Sequence, residues 1–152
     1  MRLRLATVLA LLALALAACG QSEKEKYVDD YGPLNDRLLS LGQDLGAAIQ
    51  AVDSKSDDAL ARQFSSLATR LRGVNKDIAA LATPADLRDE ARALRETLDD
   101  TIGDIEDIAK AARGKDAQAA AAATVELAAD SEDVNAAQNK LARATGAKVG
   151  DR

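Results

Sequence analysis

Apolar residues recur along most of the chain at alternating spacings of three and four. This spacing places them on one face of a helix, at the a and d positions of a heptad repeat. Three stretches have seven or eight such positions each, and most of these positions are occupied by residues with large side chains. The series are Tyr27, Tyr31, Leu34, Leu38, Leu41, Leu45, Ala48 and Val52; Leu60, Phe64, Leu67, Leu71, Val74, Ile78 and Leu81; and Leu87, Ala91, Leu94, Leu98, Thr101, Ile105, Ile108 and Ala112. The pattern predicts three amphipathic helices.

A fourth stretch keeps the same period but is built mainly of alanine. Its inner face combines four large residues with four small ones: Val125, Leu127, Val134 and Leu141, with Ala120, Ala123, Ala137 and Ala144. Alanine favours helix formation, but each alanine buries little area. We therefore predict a fourth helix that is the weakest of the set and the first to open.

Turn residues between the stretches give the boundaries. We expect helices at about 33–53, 57–82, 84–113 and 117–145. Pro33 either lies in the first turn of the first helix or kinks a helix that began near Glu23. The other expected terminators are N-caps at Ser54 or Ser56, at Thr83 and at Asp116, and helix ends at Arg113-Gly114 and Gly146.

Connections of only a few residues force each helix to run antiparallel to the one before it. The predicted fold class is all-α, an up-down-up-down four-helix bundle. The alternative is a three-helix bundle with a loosely docked fourth helix.

The first residues have a different character. Arg2 and Arg4 precede the apolar run Leu5–Leu16, and 12 residues are too few for a membrane-spanning helix, which needs roughly 20. The run ends in Leu16-Ala17-Ala18-Cys19. This segment resembles the lipobox signal peptide of bacterial lipoproteins. The rest of the chain resembles, in composition, the small uncharacterised bacterial lipoproteins with Ala-rich helical domains.

The lipobox resemblance implies cleavage between Ala18 and Cys19, transfer of diacylglycerol to the Cys19 sulfur, and often N-acylation. It divides the chain into a signal peptide at 1–18, a lipidated Cys and short polar tether at 19–26, a bundle at 27–146 and a flexible tail at 147–152. Two or more acyl chains hold a protein stably on a membrane. The expected location is the extracytoplasmic face of the cell membrane, or of the outer membrane in a Gram-negative host. The turn near 53–58 and the turn near 113–116 would then form the distal tip.

Composition excludes much chemistry. The chain holds no His, and Cys19 is its only Cys, so His-based acid–base catalysis, haem ligation by His and Cys-rich metal sites are absent. We expect no enzyme activity, no metal and no cofactor beyond the covalent lipid. The net charge is −5, and it becomes −7 when Arg2 and Arg4 are removed. This sign disfavours nucleic acid as a partner.

Three groups of side chains are candidate sites. Asp130 falls on the seam of the fourth helix, where it marks either a polar ligand contact or a half-exposed position that fixes the helix register. Asp100, Asp104 and Asp107 share one face of the third helix, outside the heptad seam, and we expect a solvated face there more than a Ca²⁺ or Mg²⁺ site. Tyr27 and Tyr31 lie one turn apart and either contact a ligand or cap the end of the bundle.

These features favour a non-enzymatic structural or protein-interaction module of the cell envelope. The alternative is a ligand-binding or stress-sensing bundle, resembling four-helix sensor domains, with a small molecule between the helices near Asp130. A third hypothesis is self-association through the heptad seams.

Overall fold

The computed structural model describes residues 21–146, and four long helices account for most of them. They are α1 (Glu23–Gln50), α2 (Asp57–Ala79), α3 (Arg88–Gly114) and α4 (Ala117–Thr145). Short 3₁₀ turns occupy Val52–Ser54 and Ala85–Leu87. The predictions for the signal peptide, for Cys19 and for the tail at 147–152 lie outside the described residues. None of the described helices is both long and apolar enough to cross a membrane.

The four helices pack as the bundle that the heptad pattern predicts. Consecutive helices are neighbours, and α3 packs along its length against both α2 and α4. One continuous core joins all four helices. Its largest fully buried side chains are Tyr27, Phe64, Val74, Ile78, Leu87, Leu94, Leu98, Ile105, Leu127 and Leu141.

Two sets of neighbours define the ends of the bundle. At one end Lys24 forms an ion pair with Asp86, at 3.6 Å, and Ser22 and Lys24 line the same surface depression as Thr145 and Gly146. At the other end Val52 lies beside the α3–α4 turn around Lys115. The helices therefore alternate in direction, which is the up-down-up-down arrangement.

The prediction for the start of the first helix was wrong by ten residues. The helix begins at Glu23, because Ser22 Oγ accepts a hydrogen bond from Glu25 N–H while the Glu25 carboxylate accepts one from Ser22 N–H. This reciprocal capping box satisfies two free amides at the helix start. Residues 23–26 are thus helix and not part of a tether. Pro33 lies inside the helix, as in the second of its two interpretations.

Three of the predicted turns differ in detail. Thr83 does not cap α3, since its hydroxyl donates to the carbonyl of Leu81 and the 3₁₀ turn after Pro84 comes first. Gly114 is still helical, and Lys115 takes the left-handed conformation at φ 55°. Ser56 stands at the N-cap of α2, but its side chain makes no capping hydrogen bond. Asp116 does cap α4, accepting from Ala119 N–H at 3.0 Å, and Gly146 ends α4 at φ 75°.

The rival arrangement, with a loosely docked fourth helix, is not what the structure has. Helix α4 follows α3 closely along its length, because small residues such as Ala123 and Ala137 let the two backbones approach. Only two large side chains of α4, Leu127 and Leu141, are fully buried. The α3–α4 contact is therefore close but is made mostly by small groups.

Candidate functional site

A groove opens at the middle of the bundle, between α1 and α4. These two helices are the first and last of the series, and their backbones come near one another at few points. The space left between them is a half-open cavity of about 150 Å³. All four helices contribute to it, and we call it the α1–α4 groove.

The walls of the groove are apolar on three sides. Leucines at 38, 39, 41 and 45 of α1 form one wall, and α2 and α3 form the floor with Leu67, Leu71, Leu98, Thr101 and Ile105. Leu39, at the rim, is 52% exposed. Gly42 also lines the groove, and a Cβ atom built on it meets no other atom within 4 Å. A side chain at this position of α1 would therefore meet open space.

The fourth wall carries neutral polar groups. Ser131, Asn135 and Gln138 of α4 line the groove at spacings of four and three, which places them in one row on the helix. Ser131 Oγ donates to the carbonyl of Leu127, and Gln138 Nε2 donates to Asn35 Oδ1 at 3.3 Å. The lining contains no charged residue. This composition suits an uncharged guest.

Asp130 does not line this groove. It is half-buried on the neighbouring side of α4, where its carboxyl meets that of Asp104 on α3. Ser131, the residue after Asp130, lines the groove. The structure thus places a groove one residue away from the predicted position, with a different side chain facing it.

The environment of Asp104 corrects the prediction of a fully solvated acidic face. Asp100 and Asp107 are exposed, but Asp104 is half-buried and its Oδ2 has no hydrogen-bond partner among the described residues. Burial first, and then the facing Asp130 with Glu126 and Asp107 nearby, together raise the pKa of Asp104 to about 6. A protonated Asp104 can donate to Asp130. The pair is therefore an acid-stabilised contact between α3 and α4.

The acidic residues do not assemble into a cation site. Among residues 21–146, no group of three or more carboxylates, histidines or cysteines is placed to hold a metal ion. The face of Asp100, Asp104 and Asp107 therefore offers no coordination sphere here.

The two tyrosines belong to the core at the end of the bundle near residue 22. Their rings stack at a centroid distance of 5.9 Å and an interplanar angle of 5°. Tyr27 is 1% exposed, and burial raises its pKa; Tyr31 has a raised pKa because of burial and, next, the neighbouring Tyr27. Tyr31 Oη donates to Asn35 Oδ1 at 3.4 Å, on the path that links α1 to Gln138. Tyr27 and Tyr31 were predicted either to contact a ligand or to cap the end of the bundle, and their packing fits the second prediction.

A second depression lies at the opposite end, where the α1–α2 and α3–α4 turns meet. This distal cleft has a volume of about 390 Å³; its lining includes the apolar Leu60, Phe64 and Ile108 and also the charged Asp57, Lys115 and Asp116. Val52, in its lining, is 39% exposed. Exposed apolar groups around an apolar cleft are typical of surfaces that contact partners.

The predicted lipidation and cleavage residues, Cys19 and Ala18, lie outside the described residues. Helix α1 begins four positions after Cys19, at Glu23. An anchor at Cys19 would therefore be joined to the bundle almost directly, without a long linker.

The described residues form an all-helical bundle that includes the α1–α4 groove and the distal cleft. Comparison with protein-family models, with curated proteins and with solved structures finds no match to this chain. Its function is therefore argued from its own residues.

Proposed function

We propose that the protein is a lipid-anchored helical bundle on the extracytoplasmic face of a bacterial membrane, where it serves as a structural or protein-interaction module and not as an enzyme. The membrane part of the proposal rests on the lipobox at Leu16–Cys19. The interaction part rests on the distal cleft, because this cleft lies at the end of the bundle farthest from Cys19.

The dimensions of α1 support this arrangement. Its 28 residues span about 42 Å at 1.5 Å per residue. A bundle standing on Cys19 holds Val52 and the floor around Phe64 at that height above the lipid. The domain carries an excess of negative charge, which opposes flat adsorption to an anionic bilayer. The cleft is then presented to the envelope space.

Metabolic labelling with a fatty acid tests the anchor. We expect the parent chain to incorporate label and to sediment with membranes, and Cys19→Ser to do neither. The control is Cys19→Ser combined with Ser40→Cys, which restores a thiol on an exposed face of α1. This control should also remain unlabelled, because acyl transfer requires the lipobox and not merely a thiol. Incorporation of label into Cys19→Ser would overturn the anchor.

Site-specific photo-crosslinking in the native envelope tests the interaction surface. A crosslinker at Ala121, an exposed residue that lines the distal cleft, should capture a defined partner, whereas one at the exposed Lys140 near the other end should not. Val52→Asp should abolish capture from Ala121 by replacing an exposed apolar side chain of the cleft with a charge. Equal capture from both positions, or capture unaffected by Val52→Asp, would contradict a distal interaction site.

The second candidate function is ligand binding. One observation favours it, the α1–α4 groove with its uncharged lining. A dry cavity of about 150 Å³ lined by aliphatic side chains is large enough to bind benzene or xenon. Titration of the protein with small alcohols tests this second function.

A further inference from the structure

We infer that the α1–α4 groove binds a small neutral amphiphile, a molecule with an aliphatic or aromatic body of about six carbons and a hydroxyl or amide head. This inference deepens the ligand-binding candidate and does not depend on the lipid anchor. It rests on three features of the groove: its size, its uncharged lining and the position of its polar groups.

Size limits the body of the ligand. The cavity holds about 150 Å³, the volume that accepts a benzene-sized molecule in an aliphatic protein interior. The leucines of α1 face Leu67 and Leu98 across this space, so a hydrocarbon body would touch apolar groups on several sides. The groove is half-open, so the head of the ligand stays near solvent.

The row of polar side chains on α4 determines which polar head group the ligand can carry. Within the described residues the Asn135 amide has no hydrogen-bond partner, and it is exposed at the side of the groove. A side-chain amide both donates and accepts, as does the hydroxyl of Ser131, which donates to Leu127 but keeps its lone pairs. A hydroxyl or amide head satisfies such groups. A charged head finds no counter-ion in the lining and loses hydration when it enters.

Gly42 makes the inference testable without unfolding the protein. It lies in the middle of α1, where leucine has a higher helix propensity than glycine, and a Cβ atom at this groove-lining position meets no other atom within 4 Å. Gly42→Leu should therefore place a large side chain at the groove while keeping the bundle folded. Gly103→Leu is the matched control, because Gly103 is also helical, exposed and free of near neighbours but lies outside the groove.

The experiment uses the full chain carrying Cys19→Ser, so that no acyl group is attached, in detergent-free buffer. Amide NMR shifts are followed during titration with hexan-1-ol, hexanoate and hexylammonium. We expect saturable shifts at the groove residues with hexan-1-ol and at least tenfold weaker binding of the two ions. Shortening the alcohol should weaken binding by up to about fourfold per methylene. Gly42→Leu should weaken hexan-1-ol binding at least tenfold, and Gly103→Leu by less than twofold.

The other outcomes overturn distinct claims. If hexylammonium or hexanoate binds more tightly than hexan-1-ol, the ligand does not have a neutral head, but ligand binding by the groove still holds. If none of the three probes binds, both the neutral amphiphile and the ligand-binding function are contradicted. If Gly42→Leu binds hexan-1-ol as tightly as the parent chain does, the binding site is not the α1–α4 groove. A dimer in light scattering that Gly42→Leu dissociates, without alcohol binding, identifies a second copy as the occupant. None of these results bears on labelling at Cys19.

Discussion

Helix α3 lies between α2 and α4 and is held to these two neighbours by different means. Towards α2, Arg72 pairs with Glu106 at 2.7 Å, and the buried Asn75 donates to Asp99 Oδ1 at 2.6 Å and to the carbonyl of Arg95. Towards α4, the side chains are largely alanine, and Asp104 meets Asp130. No ion pair joins α3 to α4 in the part of the chain that the structure describes.

The difference shows that close approach and strong attachment are separate properties. The α3–α4 backbones run close because alanine is small, yet each alanine removes little apolar area from water. Residues 117–139 contain no basic residue, so the acidic groups of α3 beside this part of α4 find no opposite charge there. The α2–α3 pair is therefore expected to form the stable part of the bundle, and α4 a helix that detaches more readily.

The largest expected effect comes from the core beneath α2. Phe64→Ala, at a side chain only 1% exposed, should reduce the free energy of unfolding by about 3–5 kcal/mol through lost burial and the cavity left behind. Urea denaturation measures this change. Val125→Ala on α4, where the side chain is 72% exposed, is the control and should change stability by less than about 0.5 kcal/mol. Equal losses in the two variants would contradict the burial of Phe64 in the core.

The polar contact between α2 and α3 gives the next effect. Asn75→Ala removes both hydrogen bonds of the Asn75 amide and should cost about 1–3 kcal/mol. The exposed neighbour Lys76→Ala serves as control and should be nearly neutral. A neutral result for Asn75→Ala would mean that apolar packing alone holds this interface.

The turn between α3 and α4 carries a removable strain. Lys115 has φ 55°, a left-handed conformation that costs a residue with a side chain about 1–2 kcal/mol and glycine very little. Lys115→Gly should therefore stabilise the fold by about 1 kcal/mol. Lys110→Gly, the same exchange inside α3, should instead destabilise it by about 1 kcal/mol. Thermal unfolding of both variants distinguishes the two signs.

The acidic pair between α3 and α4 predicts a smaller effect that depends on pH. Because the pKa of Asp104 is raised from 3.8 to about 6, the folded state binds this proton more tightly than the unfolded state does. The stability that this group contributes is complete below about pH 3.8 and is lost as pH rises through about 6.

Replacing the carboxyl tests this sign. Asp104→Asn should raise stability at pH 7 by less than about 1 kcal/mol and leave it almost unchanged at pH 4. Asp100→Asn, at an exposed position of the same helix, should show no such difference between the two pH values. A loss of stability in Asp104→Asn at pH 7 would mean that the charged pair is favourable.

The helices could be predicted from the sequence because each repeats its apolar positions over several turns. The start of α1 could not be settled from that pattern, since Pro33 is compatible with a helix that begins there or passes through it. The decisive contact was local, the reciprocal capping of Ser22 and Glu25. Their spacing of three is visible in the sequence and was the signal that could have placed the boundary.

The candidate site was less predictable. Asp104 is not at an a or d position of the α3 heptad repeat, so the repeat predicts that it is exposed. Because α3 packs against both α2 and α4, it buries a wider face than the a and d positions alone, and that face includes Asp104. The groove depends on the separation of α1 and α4, which arises from the packing of the whole bundle and has no motif of its own. Sequence reasoning therefore came to Asp130 and missed Gly42, Asn135 and Gln138.

Native-state hydrogen exchange tests the central contrast most directly. Amides of α4 around Leu127 should exchange through an opening of lower free energy than amides of α2 and α3 around Val74 and Leu98. At pH 7 the difference should narrow in Asp104→Asn, since the repulsion between the two carboxyls is removed. Protection of α4 equal to or greater than that of α3 would contradict the claim that α4 is held less strongly than α2 and α3.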